Sequence, residues 1–248
     1  MSAGPIRLVV FDWAGTLVDQ GSRAPVAALR AAFEAEAGLA LDDATLRSPM
    51  GTHKREHVAW LLALPEVQAR LPDRLRAIAP PDRVERVLAA FTAHLLECLP
   101  AHAQPIDGAV DTLQWLRARG IAVGSCTGYT RPMMERLLPT ARAAGLDIDV
   151  VVCADEVPRG RPAPWACYRI AEHLGIYPLS QAMKVGDTPA DIAEGRNAGM
   201  VTVAVTDTGN EAGPHAGDRL ADADHLLPGV GALPALIERL AISRADRR

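Results

Sequence analysis

Leu8-Val9-Val10-Phe11-Asp12-Trp13-Ala14-Gly15-Thr16 is the stretch that decides the fold of this chain. Four apolar residues in a row are typical of a strand that is buried on both faces, as in a parallel sheet. Asp12 follows this run directly, and Ala14-Gly15-Thr16 then favours a turn. The pattern predicts a buried strand that presents a carboxylate at its C-terminal end.

The same unit, an apolar run followed by polar residues, recurs along the rest of the chain. Further strands are predicted at residues 121–126, 150–153, 183–185 and 201–205. Helical patterns lie between and after them, at residues 109–119, 132–144, 164–174, 189–198 and 230–240. Strands that alternate with helices indicate an α/β fold with a doubly wound, Rossmann-like parallel sheet. Such sheets bind ligands at the carboxyl ends of their strands, where Asp12, Thr127 and Asp187 are expected.

Residues 21–104 break this alternation. Their apolar spacing favours helices at residues 26–37, 54–64, 66–78 and 84–99, with a loop at residues 79–82. The pattern predicts a helical cap domain, residues 21–104, inserted into a core that consists of residues 1–20 and 105–248.

Composition excludes several classes of protein. The 248 residues are 49% hydrophobic and 23% charged, which is typical of an ordinary globular protein. The net charge of -4 argues against a nucleic acid partner, because nucleic acid binding normally needs a basic surface. No apolar run approaches the roughly 18 residues that a membrane span needs. The N-terminal residues lack the pattern of a signal peptide, so we expect a cytoplasmic protein without membrane contacts.

The cysteines are scattered through the chain and show no metal-binding spacing. They are Cys98, Cys126, Cys153 and Cys167. In a reducing compartment we expect them to be small buried apolar residues. The sequence predicts neither a zinc site nor a disulfide framework.

Lysine is rare in this chain. Of 26 basic residues only Lys54 and Lys184 are lysines. A lysine amine can lose its proton and attack a carbonyl group, whereas arginine stays charged. The count alone favours chance or packing as the reason that two lysines remain, but it draws attention to these two positions.

Four segments resemble the haloacid dehalogenase superfamily of phosphotransferases. They are Phe11-Asp12-Trp13-Ala14-Gly15-Thr16, the strand that ends in Thr127, Arg161-Pro162-Ala163-Pro164, and Val185-Gly186-Asp187-Thr188-Pro189-Ala190-Asp191. The resemblance implies that Asp12 attacks phosphorus and that Thr127 and Arg161 hold phosphate oxygens. It also implies that Asp187 and Asp191 help Asp12 to bind magnesium.

Elementary chemistry supports these roles. A carboxylate nucleophile forms a phosphoaspartate and so divides one difficult displacement into two. A Mg²⁺ ion relieves the repulsion between the two anions. Most phosphatases of the superfamily carry a second aspartate two residues after the nucleophile, as the general acid, and this chain has Ala14 there. The Ala14 carbonyl can still bind the metal, but the leaving group must depart without that acid.

Longer motifs resemble the phosphonatase branch of this superfamily. They are Met50-Gly51 with Lys54 and His57, Thr127-Gly128-Tyr129-Thr130-Arg131, Val157-Pro158 with Gly160-Arg161-Pro162 and Pro164-Trp165, and Glu194-Gly195-Arg196-Asn197-Ala198-Gly199-Met200. The resemblance implies hydrolysis of phosphonoacetaldehyde to acetaldehyde and phosphate. Lys54 would form an imine with the aldehyde, so that a neutral enamine rather than a carbanion leaves phosphorus.

The resemblance also implies roles for neighbouring residues. A proton shuttle is one interpretation of His57, and a cap histidine bound to the backbone is an equal alternative. Met50 and Gly128 are expected to line the substrate site, although packing explains Met50 equally well. We expect burial and nearby positive charge to lower the pKa of Lys54 from about 10.4.

Other positions receive a structural interpretation. We expect Lys184 to be structural, and Tyr129 and Trp13 to be either pocket wall or core. Residues 209–217 are expected to form a mobile loop, and their sequence indicates no function. The apolar helix at residues 26–37 predicts a homodimer through the cap, but a face buried within one chain would look the same.

Two alternatives remain open. A haloacid dehalogenase-type phosphomonoesterase or phosphomutase would need an acid near Ala14 and would have no use for Lys54. A receiver-type signalling module shares the doubly wound sheet, but it is about half this length and lacks a large insertion.

Overall fold

The computed structural model describes residues 5–50, 52, 54–213 and 215–245, the last three without their side chains. Gly51, which belongs to the quoted Met50-Gly51 motif, and His53 lie outside the described residues. Within the described residues a sheet of six parallel strands has the order β3-β2-β1-β4-β5-β6. The strands are β1 (Leu8–Phe11), β2 (Ala122–Cys126), β3 (Val150–Val152), β4 (Ala182–Gly186), β5 (Val201–Val205) and β6 (His225–Leu227).

The register of the central strands brings their carboxyl ends to one edge. Phe11 at the end of β1 lies opposite Ser125 on one side and Val185 on the other. Asp12, Thr127 and Asp187 follow these strands, so the fold gathers their side chains at a single edge. This confirms the predicted α/β class with a Rossmann-like parallel sheet.

Strand β6 is absent from the sequence prediction, which gave five strands. It is only three residues long and follows Ala-Asp-Ala-Asp, so its own pattern is too short to indicate a strand. Its pairing with β5, where Val205 lies opposite Leu227, is a tertiary contact.

Helices cover both faces of the sheet because each strand has two apolar faces. Val9 and Phe11 belong to one buried cluster, and Leu8 and Val10 belong to the other. Helices are numbered along the chain, and α1 to α6 belong to the insertion described below. The helices of the core are α7 (Ala109–Ala118), α8 (Arg131–Ala143), α9 (Trp165–His173), α10 (Pro189–Ala198), α11 (Ala216–Arg219) and α12 (Leu233–Ala245). The last prediction was shifted, because residues 230–232 form a 3-10 turn before α12 begins.

The described chain between β1 and the core helix α7 is mostly helical. Its α-helices are α1 (Arg23–Ala37), α2 (Asp43–Arg47), α3 (Lys54–Ala63), α4 (Pro65–Arg70), α5 (Asp73–Arg76) and α6 (Pro80–Cys98), and a 3-10 turn (Leu99–His102) follows. These helices form the cap. Helix α1 packs along α6, so its apolar face is buried within one chain.

Two sequence predictions for this segment were wrong, and one helix was missed. Residues 79–82 are not a loop, because Pro80 occupies the first turn of α6, where a missing N–H costs nothing. The predicted helix at residues 66–78 is two helices with a break at Leu71 and Pro72. Helix α2 went unpredicted, although Asp42 caps it by accepting from Thr45 N at 2.8 Å.

Asp19 joins the two connections between sheet and cap. It accepts hydrogen bonds from Arg23 N and Ala24 N, at 3.0 and 2.9 Å, at the start of α1. His102 Nδ1 in the returning connection lies 3.0 Å from its Oδ1. The cap is therefore held over the carboxyl edge of the sheet. No helix among the described residues has both the length and the apolar character to cross a membrane.

Candidate active site

Asp12 lies at the centre of the carboxyl edge. Its backbone N–H donates to Val185 O at 2.9 Å, which extends the ladder between β1 and β4 by one residue. The side chain is 8% exposed and accepts from Arg161 Nη2 at 2.5 Å. Burial raises the pKa of Asp12, and the Arg161 guanidinium opposes this shift. Asp12 is thus a buried carboxylate whose charge depends on nearby cations.

Arg161 connects several groups of the site through one buried guanidinium. Besides Asp12, Nη2 donates to Cys126 O at 2.7 Å. Nη1 lies 2.9 Å from Asp191 Oδ1, and Nε donates to Glu194 Oε2 at 3.1 Å. Burial disfavours its charge, but Asp12 and Asp191 raise the pKa of Arg161 well above its ordinary value. Arg161 therefore keeps a fixed positive charge beside the nucleophile.

Three carboxylates form a buried acidic cluster. Oxygen atoms of Asp12, Asp187 and Asp191 lie within 4.8 Å of one another. Burial, and then the charges of Asp12 and Asp191, raise the pKa of Asp187 well above its ordinary value. This shift shows excess negative charge, and hard oxygen donors suit a divalent cation. The cluster fits such an ion, with Ala14 beside it in the same cleft.

The loop at residues 209–217, for which the sequence indicated no function, contacts this cluster through Asn210. Asn210 N donates to Asp187 Oδ2 at 2.7 Å, and Thr16 Oγ1 donates to Asp187 Oδ1 at 3.3 Å. Gly15, at φ +85°, leaves no room for a Cβ because Asp187 lies against it. The sequence carried no signal for Asn210, since its contact depends on where the loop after β5 returns.

Lys184 belongs to the charged network below the site, although the sequence favoured a purely structural role. It lies on β4 with its side chain fully buried. Its Nζ donates to Asp191 Oδ1 at 2.6 Å and lies 3.6 Å from Glu194 Oε2. Although burial alone would raise it, Arg161 and Lys184 lower the pKa of Asp191 to about 2. Lys184 therefore keeps Asp191 ionised.

Lys54 reaches the site from the cap. It is the first residue of α3, and its Nζ lies 3.4 Å from Met50 Sδ. Burial, opposed by the Asp12 charge and assisted by the Arg161 charge, lowers the pKa of Lys54 to about 8. A substantial fraction of this amine is therefore neutral near neutral pH, as nucleophilic attack on a carbonyl requires.

His57 lies one helical turn from Lys54 and is fully buried. Its Nε2 is 2.9 Å from Leu46 O, and because a carbonyl only accepts, Nε2 carries the proton. Its Nδ1 has no hydrogen-bond partner among the described residues. Burial, then the Lys54 charge, lowers the pKa of His57 to about 3, so the ring is neutral. The backbone contact that was one of its two interpretations is therefore present.

Cap and core residues line one cleft of about 470 Å³, which we call the Lys54 cleft. It is lined by Asp12, Ala14, Ser22, Pro25, Met50, Thr52, Lys54, Thr127, Gly128, Tyr129, Arg161, Asp187 and Thr188. All the predicted site residues are here except His57, which is buried behind Lys54, and Asp191, which lies below Arg161.

Tyr129 is a site residue that the sequence left undecided between pocket wall and core. It lines the Lys54 cleft, its backbone N–H donates to Thr127 Oγ1 at 3.1 Å, and its hydroxyl has no partner among the described residues. A buried hydroxyl without a partner is costly unless a ligand satisfies it. Trp13 is core instead, since it is fully buried and donates to Ser125 Oγ at 2.7 Å.

Comparison with known proteins gives a consistent result. The model of a hydrolase family described as haloacid dehalogenase-like hydrolase matches residues 6–199. A phosphonoacetaldehyde hydrolase from Nitratidesulfovibrio vulgaris is 46% identical over 210 residues, which cover 85% of this chain and 75% of that protein. One from Syntrophobacter fumaroxidans is 44% identical, with 85% and 76% covered.

A solved structure extends the similarity to the whole chain. The crystal structure of a phosphonoacetaldehyde hydrolase-like protein from Oleispira antarctica superposes with a TM-score of 0.91 at 30% identity. It covers 100% of this chain and 97% of that one. The similarity therefore includes the cap as well as the sheet.

Proposed function

The chain belongs to the haloacid dehalogenase-like hydrolases, and we propose that it hydrolyses the carbon–phosphorus bond of phosphonoacetaldehyde to acetaldehyde and phosphate. The observation that carries this proposal is the Lys54 cleft, where an amine with a pKa of about 8 shares one cavity with the buried Asp12 carboxylate. Ala14 in the same cleft offers no side-chain acid. This combination suits a leaving group that needs an electron acceptor rather than a proton donor.

In the proposed reaction Lys54 prepares the substrate for bond cleavage. Its Nζ adds to the aldehyde carbon and water leaves, which gives a protonated imine. An Asp12 carboxylate oxygen then attacks phosphorus, and the carbon–phosphorus bond breaks. Its electron pair moves into the imine and leaves a neutral enamine on Lys54.

Two hydrolytic steps return both residues to their starting state. The enamine gains a proton on carbon, and water then releases acetaldehyde from Lys54. A second water cleaves the phosphoaspartate and releases phosphate from Asp12. One water is formed and two are consumed, so the sum is hydrolysis by a single water.

Core residues around Asp12 are proposed to hold the phosphonate. Arg161 has a fixed positive charge there, and Thr127 and Gly128 border the same cleft. Fixed donors aimed at the oxygens of the transferring group stabilise its charge without reorganisation. Met50 and Tyr129 border the cleft beside Lys54 and are proposed to orient the aldehyde end.

His57 is proposed to assist Lys54. The Nδ1 atom of His57 has no hydrogen-bond partner among the described residues, so its lone pair is free to accept a proton. The Lys54 charge lowers the pKa of His57, so the two side chains interact electrostatically. With a pKa of about 3, His57 can relay a proton but does not stay protonated at neutral pH.

We propose Mg²⁺ as the divalent cation. The carboxylates of Asp12, Asp187 and Asp191 and the Ala14 carbonyl would hold it, because all are hard oxygen donors. When bound, Mg²⁺ neutralises negative charge on the transferring group.

Replacing Ala14 by Asp tests the reason for the missing acid. We expect the variant to cleave phosphonoacetaldehyde no faster than the parent, because the leaving enamine needs no protonation on oxygen. The readout is acetaldehyde formation. Ala14→Ser, which adds a polar group without an acid, is the matched control. A higher rate with Asp alone would show that a missing acid limits the parent.

The pKa of Lys54 predicts a pH profile. Because only the neutral amine attacks, kcat/KM is expected to rise as pH increases towards about 8 and to level off above it. The measurement is kcat/KM for phosphonoacetaldehyde from about pH 6 to about pH 10. A rise that continues unbroken towards the ordinary lysine pKa of about 10.4 would contradict the neutral-amine mechanism.

The proposal as a whole is tested by phosphate release from phosphonoacetaldehyde and from a panel of phosphate esters, with Mg²⁺ and with a chelator. We expect release from the phosphonate to exceed release from every ester and to need the metal. Faster turnover of an ester or a sugar phosphate would favour a phosphomonoesterase or phosphomutase.

Three predictions from the sequence stay predictions. A cytoplasmic location and the cap boundaries at residues 21–104 are two of them. The third is a homodimer through the cap. Helix α1 does not support this prediction, because its apolar face packs on α6 within the same chain.

A further inference from the structure

A second cleft lies on the other side of Arg161 and reaches a pair of thiols. This Cys126 cleft shares Thr52, Thr127, Gly128 and Arg161 with the Lys54 cleft. Its remaining lining residues are Cys126, Cys153, Ala154, Val157, Gly160, Ala166 and Glu194. Cys126 therefore borders this cleft, although the residue is fully buried, so a reagent can reach its sulfur only by entering the cleft.

Cys126 and Cys167 are neighbours across two elements. Cys126 ends β2 and Cys167 lies in the first turn of α9. Their sulfur atoms and a Glu194 oxygen all lie within 4.8 Å of one another, and a 3.2 Å hydrogen bond joins Cys126 Sγ to Glu194 Oε2. Both cysteines are fully buried, and of the two only Cys126 borders the cleft, so a reagent that enters the cleft meets Cys126 first.

The surroundings of Cys126 favour a thiolate. Arg161 Nη2 lies 3.7 Å from its sulfur, and the Lys184 amine lies 3.6 Å from Glu194. The hydrogen bond with Cys167, together with the charges of Lys184 and Arg161, lowers the pKa of Cys126 to about 5 against the effect of burial. Burial and the Cys126 charge raise the pKa of Glu194 to about 8. The Glu194 carboxylate, which accepts from the Cys126 thiol at 3.2 Å, is positioned to take up the proton when the thiolate forms.

A metal does not explain this cluster. Cys126, Cys167 and Glu194 would offer three ligands, but Arg161 already bonds Glu194 at 3.1 Å and approaches the Cys126 sulfur. A divalent ion would lie among two fixed positive charges. The same charges instead activate a thiolate, which is the reactive form of cysteine.

We propose that Cys126 is a site of oxidation by hydrogen peroxide and that Cys167 resolves it to a disulfide. The Cys126 thiolate attacks one peroxide oxygen; the O–O bond breaks, sulfur becomes a sulfenic acid, and hydroxide leaves and takes up a proton as water. The Cys167 sulfur then attacks the Cys126 sulfur. The S–O bond breaks, the S–S bond forms, and the Cys167 proton leaves with the hydroxyl as a second water.

Oxidation has a consequence for the active site, and this part rests on the proposed function. Arg161 contacts Cys126 through both its carbonyl and its sulfur while it holds Asp12. A disulfide removes the negative sulfur and pulls β2 towards α9. Displacement of a positioning group by about 1 Å can cost about 100-fold in rate, so we expect the oxidised form to turn over about 10- to 100-fold more slowly.

The test uses the full chain with hydrogen peroxide as the probe. After oxidation, alkylation of remaining thiols and digestion, mass spectrometry is expected to find a Cys126–Cys167 linked peptide. In Cys167→Ser, dimedone is expected to label Cys126. Cys153→Ser is the matched control, because Cys153 lines the same cleft but burial raises its pKa to about 12. That variant should form the linked peptide as the parent does.

The covalent readout is independent of the proposed reaction. Oxidation of Cys98 or Cys153 at least as fast as Cys126, or the absence of the linked peptide, would overturn the oxidation site even if the protein cleaves phosphonoacetaldehyde. A linked peptide with unchanged turnover would overturn the coupling to Arg161. Loss of turnover that dithiothreitol restores would support it.

Discussion

Replacing Lys54 by Arg is expected to lower kcat for phosphonoacetaldehyde by about a thousandfold or more, because removal of a covalent nucleophile has effects of this size. Arginine keeps the positive charge and most of the side-chain volume, but it does not lose its proton and cannot form the imine. The measurement is acetaldehyde formation under saturating substrate. Borohydride added during turnover should leave an N-ethyl group on Lys54 in the parent and no adduct in the variant.

The neighbouring residue provides a control. Arg55 lies on the same helix turn, is exposed and pairs with Glu85. The reverse exchange, Arg55→Lys, should leave both turnover and trapping at Lys54 unchanged. If Lys54→Arg retains activity within a few-fold of the parent, the imine mechanism is wrong, whatever the fate of the phosphoryl group.

Replacing Asp12 by Asn is expected to stop cleavage while the imine still forms. The amide is nearly the same size, but it is a poor nucleophile towards phosphorus, and we expect a loss of about a thousandfold or more. Since Lys54 lies on the cap, it should still condense with the aldehyde. Borohydride should then trap the intact substrate on Lys54, as an N-(2-phosphonoethyl) group, and not the N-ethyl group found in the parent.

This variant separates the two halves of the reaction. Asp147→Asn makes the same exchange on the surface, where Asp147 pairs with Arg117, and should behave as the parent. Thermal unfolding of both variants checks that loss of the Asp12–Arg161 pair has not unfolded the core. An N-ethyl adduct on Lys54 of Asp12→Asn would mean that another group takes the phosphoryl unit.

Much of the core was predictable because its signal is local. The apolar runs that end at Phe11 and Val205 have the length and composition of buried parallel strands, and polar residues follow each. Parallel strands then align their carboxyl ends, so Asp12, Thr127 and Asp187 had to meet. Strand β6 and the start of α6 were missed because three residues or a proline pair carry too little pattern of their own.

The residue types that determine the chemistry of the site could also be read directly from the sequence. Ala14 excludes a side-chain acid there, and Lys54 supplies an amine where nearly every other cation is arginine. These facts concern residue type and position along the chain. They do not depend on how the chain packs.

Only the tertiary structure decided how these groups are charged and what surrounds them. Lys54 has a pKa of about 8 because of burial between cap and core near Arg161, and His57 is neutral because burial and the Lys54 charge lower its pKa to about 3. Arg161 binds Asp12 and Glu194 at once, and Cys126 and Cys167 meet from a strand and a helix 41 residues apart in sequence. Burial and long-range Coulomb interactions set these properties, and both arise from contacts that no local pattern encodes.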